Sequence, residues 1–193
     1  MHDLEALYRA CEPAKFGRNE ENVFDESYRK AGKMDLTSFA TLFDPRTLGI
    51  YELVSKALLI QNFATMDMEL YKLNVYGKRS DHWQSRRIQI HCVVGKGDFF
   101  KAHKDTPRGQ DMFGSLVVVL PTLYEGGQFV FRQGEKEWTI DFTDGLAAAA
   151  ELSVSFVAFF GGIEHEVLPV TSGHRVTLTY SNLYRSNHIR CCR

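Results

Sequence analysis

The residues best placed to do chemistry begin with His103 and Asp105, at the end of Phe99-Phe100-Lys101-Ala102-His103-Lys104-Asp105. Side chains alternate along an extended strand, so this imidazole and carboxylate share a face and can grip one metal ion from the same side. Two ligands do not make a site. A candidate third is His165, in Ile163-Glu164-His165-Glu166-Val167, sixty residues beyond Asp105 and just after Gly161-Gly162. Two imidazoles and one carboxylate would occupy one face of an octahedral ion and leave positions open for reacting molecules. A histidine flanked by two carboxylates reads equally well as a solvated surface residue, and at this point both readings stand.

Ten residues further on lies His174-Arg175-Val176-Thr177-Leu178-Thr179-Tyr180. As a strand it puts Val176, Leu178 and Tyr180 on one face and Arg175, Thr177 and Thr179 on the other. With the apolar face packed against helices, Arg175 points inward and needs an anion, because an unpaired buried charge costs several kcal/mol. The partner is either a carboxylate of the protein or a small dicarboxylate ligand, which a guanidinium binds through two parallel hydrogen bonds. An arginine that merely covers a sheet edge is the third reading.

Composition bounds what these residues can belong to. The 193 residues suit one domain with a real core, and 44% apolar with 24% charged residues is ordinary for a globular protein. A net charge of −1 points neither to nucleic acid nor to a membrane surface. The longest apolar runs, Leu116 to Leu120 and Phe156 to Phe160, are strand-sized. Met1-His2-Asp3-Leu4-Glu5 has no leader character, and Cys11, Cys92, Cys191 and Cys192 show no CxxC spacing. Free thiols in the cytoplasm or nucleus are therefore expected.

The elements that must position the candidates divide into two textures. Residues 1–66 read as a helical support layer, with Leu4, Leu7, Tyr8 and Cys11 at helical spacing up to Pro13, and a second helix within Thr47 to Met66. The charged stretch Asn19 to Lys33 reads as a surface connection or short helix. Residues 67–184 read as short strands: Leu70 to Tyr76, Phe99 to Lys104, Ser115 to Leu120, Gln128 to Arg132, Glu137 to Phe142, Ser153 to Phe160, Glu164 to Val167 and Arg175 to Tyr180. Eight strands fit a jelly roll, in which segments far apart in sequence become neighbours. Gly126-Gly127, Gln133-Gly134, Gly161-Gly162 and Ser172-Gly173 are the expected turns with positive φ.

Taken together, Leu70 to Tyr76, Gly97 to Arg108, Met112 to Pro121, Glu125-Gly126-Gly127 and Val157 to Tyr180 resemble the 2-oxoglutarate and Fe(II) dependent oxygenases, in their prolyl 4-hydroxylase-like, fungal-type branch. The resemblance implies a single mainly β oxygenase domain over 1–184, a double-stranded β-helix of the cupin type. It implies that His103, Asp105 and His165 hold Fe(2+) and serve catalysis. Arg175, helped by Thr177, would bind the distal carboxylate of 2-oxoglutarate, and Tyr76 would line that pocket. Dioxygen is the other cosubstrate, and ascorbate is left open. The implied reaction hydroxylates a C–H bond of a peptide prolyl residue or a small molecule and releases succinate and CO2. Neither the substrate nor the oligomeric state follows from these residues.

Two stretches depart from the family. Relatives run from Val-Tyr-Gly through a short turn into Gly-Asp-Phe-Phe, whereas here Lys78 to Gly95 intervene. Gly77-Lys78 recurs as Gly95-Lys96, so removing eighteen residues restores a natural hairpin. The insert reads as a translated intron or as a basic lid carrying Lys78, Arg79, Arg86 and Arg87; His82 and His91 add no ligand set. The tail 185–193 also departs, and His188, Cys191 and Cys192 are too few for a structural zinc site. A second functional reading follows from the insert: a catalytically inactive jelly roll that serves as a binding or scaffold protein.

Overall fold

The computed structural model describes residues 2–18, 21–59, 65–77, 97–143 and 153–185. The insert 78–95, the stretch Ala147 to Ala150 and the tail beyond Arg185 lie outside the described residues. Within the rest, helix α1 (His2–Ala10) is followed by five short strands: β1 (Glu12–Pro13), β2 (Phe16–Arg18), β3 (Glu21–Val23), β4 (Arg29–Lys30) and β5 (Gly32–Asp35). Helix α2 (Ile50–Leu58) and the long strand β6 (Thr65–Gly77) come next. The chain then runs through β7 (Phe99–His103), β8 (Met112–Val119), β9 (Tyr124–Gly126), β10 (Phe129–Gln133) and β11 (Lys136–Ile140). It ends with β12 (Ser155–Phe160), β13 (Glu164–Val167) and β14 (Val170–Arg185).

These strands form a jelly roll. The larger sheet has the order β1-β5-β6-β14-β8-β12, with β9 joined to β14, and the smaller has β11-β10-β13-β7-β4. Alternation decides what each face of the larger sheet meets. Leu73, Val75, Leu116, Val118, Val176, Leu178 and Tyr180 pack with Leu4, Leu7, Tyr8, Ile50 and Val54 of the helices. Tyr76, Val117, Val119 and Phe159 point the other way and share a core with Phe100, Phe129, Phe131 and Val167 of the smaller sheet. The site occupies the space between the sheets.

The first 66 residues depart from the helical layer expected of them. Two nine-residue helices do pack on the sheet, the second inside the expected window Thr47 to Met66, but β1 to β5 run between them. Strands of two to four residues carry no readable alternation, and tertiary pairing creates them: Gly32 to Asp35 pair with Val75 to Lys72, and Arg29-Lys30 with Phe100-Phe99. The charged stretch expected at the surface thus buries Arg29, which is 3% exposed. Among the turns, Gly126, Gly127, Gly134 and Gly173 have positive φ, but Gly161 and Gly162 do not. There the Ile163 N–H bonds to the Phe160 carbonyl at 3.0 Å in an ordinary turn.

A buried carboxylate ties the helical layer to both sheets. Asp98 is fully buried, and its Oδ2 accepts the Tyr8 hydroxyl at 2.5 Å and the Gly77 N–H at 3.2 Å. Lys30 Nζ stands 3.9 Å from Oδ1. Tyr8→Phe removes a charge-assisted hydrogen bond while keeping the ring, and is expected to cost about 2 kcal/mol. Urea unfolding followed by circular dichroism measures it, and an unchanged midpoint would show that α1 is held by packing alone.

Candidate metal and anion site

The antiparallel pairing of β7 and β13 brings the metal candidates together. In their antiparallel register His165 lies directly opposite His103, and Asp105 follows two residues beyond the end of β7. Ligating atoms of His103, Asp105 and His165 lie within 4.8 Å of one another, with His165 Nε2 4.0 Å from Asp105 Oδ1.

Each of the three has one polar atom tied and another left for a ligand. His103 Nδ1 is 2.8 Å from the Lys101 carbonyl, and His165 Nδ1 is 3.0 Å from the Ile163 carbonyl. Only an N–H can face a carbonyl, so both rings carry the proton on Nδ1 and present a lone pair at Nε2. Asp105 Oδ2 accepts the Ser115 hydroxyl at 2.5 Å. Such bonds fix ring orientation and tautomer in metal sites. Burial pushes His103 well below the usual imidazole range, and His165 and nearby cations push it further, which keeps the ring neutral. Aromatic rings wall the pair: Phe100 stacks on His103 with centroids 3.4 Å apart, and Phe159 lies 4.5 Å from His165. The donor set therefore fits a divalent transition metal held on one face.

Arg175 is completely buried in the same cavity, and none of its three guanidinium nitrogens has a hydrogen-bond partner among the described residues. Phe129 lies 4.8 Å and Tyr76 5.7 Å from its Cζ. Burial lowers its pKa from the ordinary arginine value, and the neighbouring Tyr124 and Tyr76 hydroxyls oppose that. The Tyr124 hydroxyl stands beside the guanidinium and favours its charged form, outside strict hydrogen-bond geometry. No protein carboxylate answers this charge among the described residues. Gly127 makes room for it: at φ +67° a Cβ there would stand 3.0 Å from Arg175 Cδ.

Register assembles the rest of the wall. Across β14 and β6, Arg175 faces Tyr76, Thr177 faces Asn74 and Thr179 faces Lys72, all lining the cavity of about 50 Å³. On the other side of β14, Thr177 faces Val119, Thr179 faces Val117 and Ser181 faces Ser115. Tyr76 and Thr177 thus line the same cavity as Arg175. Lys72, Asn74, Ser115, Arg29 and Arg108 are lining residues that the sequence reading missed. For Lys72 and Asn74 a signal existed, since Leu70 to Tyr76 alternates as clearly as the strand bearing Arg175. Nothing near Ser115 or Arg29 marks them.

The fold and the site together define a jelly-roll protein with a facial His/Asp/His set and a buried cationic anchor. Residues 88–180, just under half of the chain, match the family described as the 2OG-Fe(II) oxygenase superfamily. That match opens inside the insert, so residues 88–95, read above as having no counterpart, fall within it. No curated protein matches the chain. Among solved structures it is similar to a prolyl-4-hydroxylase from Pseudomonas putida, at 16% identity and TM-score 0.50, covering 96% of this chain and 81% of that one. It is also similar to a prolyl hydroxylase from Trichoplax adhaerens in complex with a hypoxia inducible factor oxygen degradation domain peptide fragment. That likeness has 16% identity and TM-score 0.51 and covers 94% of this chain and 75% of the other. At that identity the two structures speak to the fold.

Proposed function

We propose that this chain is an Fe(II)- and 2-oxoglutarate-dependent hydroxylase of the prolyl hydroxylase type. The observation that carries this reading is the pairing, in one cavity, of three ligating side chains with an unpartnered buried guanidinium. A catalytic metal alone would not need such an anchor, whereas a cosubstrate with a distal carboxylate does.

In this reading His103, Asp105 and His165 hold the iron, with Ser115 and the Lys101 and Ile163 carbonyls keeping them aimed. Arg175 binds the distal carboxylate, Thr177 offers a hydroxyl beside it, and Tyr76 shapes the pocket. Bound there, iron with 2-oxoglutarate and dioxygen supplies the oxidation of a substrate C–H to an alcohol, with succinate and CO2 as coproducts. The surrounding Phe100, Phe129, Phe131 and Phe159 keep water from the reacting centre. A prolyl side chain is the favoured substrate group because the two solved structures described above are prolyl hydroxylases by name.

Anaerobic titration with Fe(II) and 2-oxoglutarate, watched for the visible charge-transfer band of the chelate, tests the assignment. The full chain is expected to show a saturable band, and Asp105→Ala to lower iron affinity at least about a hundredfold, as loss of one of three ligands should. A band that survives Asp105→Ala unchanged would overturn the ligand set. Admitting oxygen should then yield succinate, and its absence from a chain that forms the chelate would favour the inactive binding module.

A further inference from the structure

A second chamber of about 240 Å³ adjoins the metal candidates, sharing Arg29, Lys72, Phe100, His103, Asp105 and Arg108 with the inner one. Its wall carries five cations, Lys15, Arg29, Lys72, Lys104 and Arg108. Among the described residues the single carboxylate lining it is Asp105, already engaged by Ser115 and aimed at the metal position.

Neutral groups hold these cations in place without cancelling them. Arg29 donates to the Lys15 carbonyl at 2.6 Å and to Asn74 Oδ1 at 2.9 Å, and its buried Nε has no partner. Arg108 donates to the Ser181 hydroxyl at 2.8 Å and lies 3.5 Å over the Tyr71 ring. Lys72, opposite Thr179 on the wall of both chambers, has among the described residues the Tyr71 ring 4.5 Å from its Nζ and the attraction of Asp105. Burial, together with Arg29 and Arg108, pushes its ammonium well below the usual lysine range. Like charges gathered at a half-buried cavity oppose one another unless an anion joins them.

Resting on the oxygenase reading above, we propose that the prime substrate is an acidic peptide, with a carboxylate beside the oxidised residue held in this chamber by Lys72 and Arg108. A nucleic acid strand fits less well. Single strands are held by bases stacked on free aromatic faces, and here the aromatic faces are taken. Tyr71 is covered by Arg108 and Lys72, and Phe100 is stacked between His103 and Arg29. The chamber suits one or two side chains rather than a run of nucleotides.

Fluorescence anisotropy on the full chain, with Mn(II) and 2-oxoglutarate and without oxygen, tests this apart from turnover. The probes are labelled short peptides centred on proline and flanked by Glu, Gln or Lys, with single-stranded DNA as the fourth. The Glu peptide is expected to bind about tenfold tighter than the Gln peptide, and raising salt from about 50 to about 500 mM should close most of that gap. Arg108→Glu should reverse the order and favour the Lys peptide. Lys104→Glu, at an exposed position, should shift it the same way without touching the Ser181 bond. Equal binding of Glu and Gln peptides overturns the inference, and DNA binding tighter than the Glu peptide overturns it in favour of a nucleic acid. If equal binding accompanies a normal iron chelate band, only this inference fails. A Glu preference in a chain without the chelate band overturns the oxygenase reading and, with it, the substrate role of the chamber.

Discussion

Replacing Arg175 with methionine is expected to raise the stability of the ligand-free protein by roughly 1–4 kcal/mol while abolishing its stabilisation by 2-oxoglutarate. The two halves have one cause. Arg175 is fully buried, and among the described residues its nitrogens meet aromatic faces and the Tyr124 hydroxyl but no carboxylate. Its desolvation cost is therefore carried by the fold until an anion arrives. Methionine fills a similar volume with apolar surface, which Phe129, Phe142 and Tyr76 accept. With the native arginine and iron present, 2-oxoglutarate at about a hundred times its Kd should add about 2.7 kcal/mol, and in the Arg175→Met variant it should add nothing measurable. Urea unfolding of both proteins, with and without ligand, reads all four values. If Arg175→Met instead destabilised the ligand-free protein by several kcal/mol, the guanidinium would be a structural group with a partner in the protein.

That contrast also marks what was legible in the sequence. The strand His174 to Tyr180 alternates so sharply that Arg175, Thr177 and Thr179 could be placed on the inward face before any coordinates, and the structure puts them there. His103 and Asp105 could be paired from spacing alone, because a strand's two-residue period is local. His165 could not be joined to them by the same means. Its position opposite His103 depends on β13 lying beside β7, a pairing set by the winding of the whole roll. The supporting groups were hidden for a related reason. Ser115 heads a run of apolar residues and works through a hydrogen bond to Asp105 ten residues earlier, and Arg29 lies in a charged stretch that composition assigns to the surface. Short strands such as β4 and β5 exist because longer neighbours pair with them, so no local pattern announces them.

The second large effect concerns residues 78–95, whose removal is expected to stabilise the protein by about 2 kcal/mol and leave 2-oxoglutarate binding intact. The ends of the segment already meet, since the Asp98 N–H donates to the Gly77 carbonyl at 3.0 Å and the Gly77 N–H donates to the Asp98 side chain. Excision leaves Gly77-Lys96-Gly97-Asp98, four residues whose first carbonyl and last N–H carry the hydrogen bond that defines a β-turn. Gly97 must stay in that turn, because a Cβ there would stand 1.6 Å from the Val170 carbonyl oxygen. Twenty residues now separate Gly77 from Asp98, and two would remain. At about 0.6 kcal/mol per doubling, the saving in closure entropy is roughly 2 kcal/mol, or about 4–8 °C in Tm for a domain of this size. The consequence for the site runs through β6. Tyr76 faces Arg175 one residue before the bonded end, so a turn that holds Gly77 and Asp98 as they stand keeps the anion pocket as it is. A deletion protein that melts lower, or that loses the 2-oxoglutarate shift, would show that 78–95 supplies contacts the hairpin cannot do without.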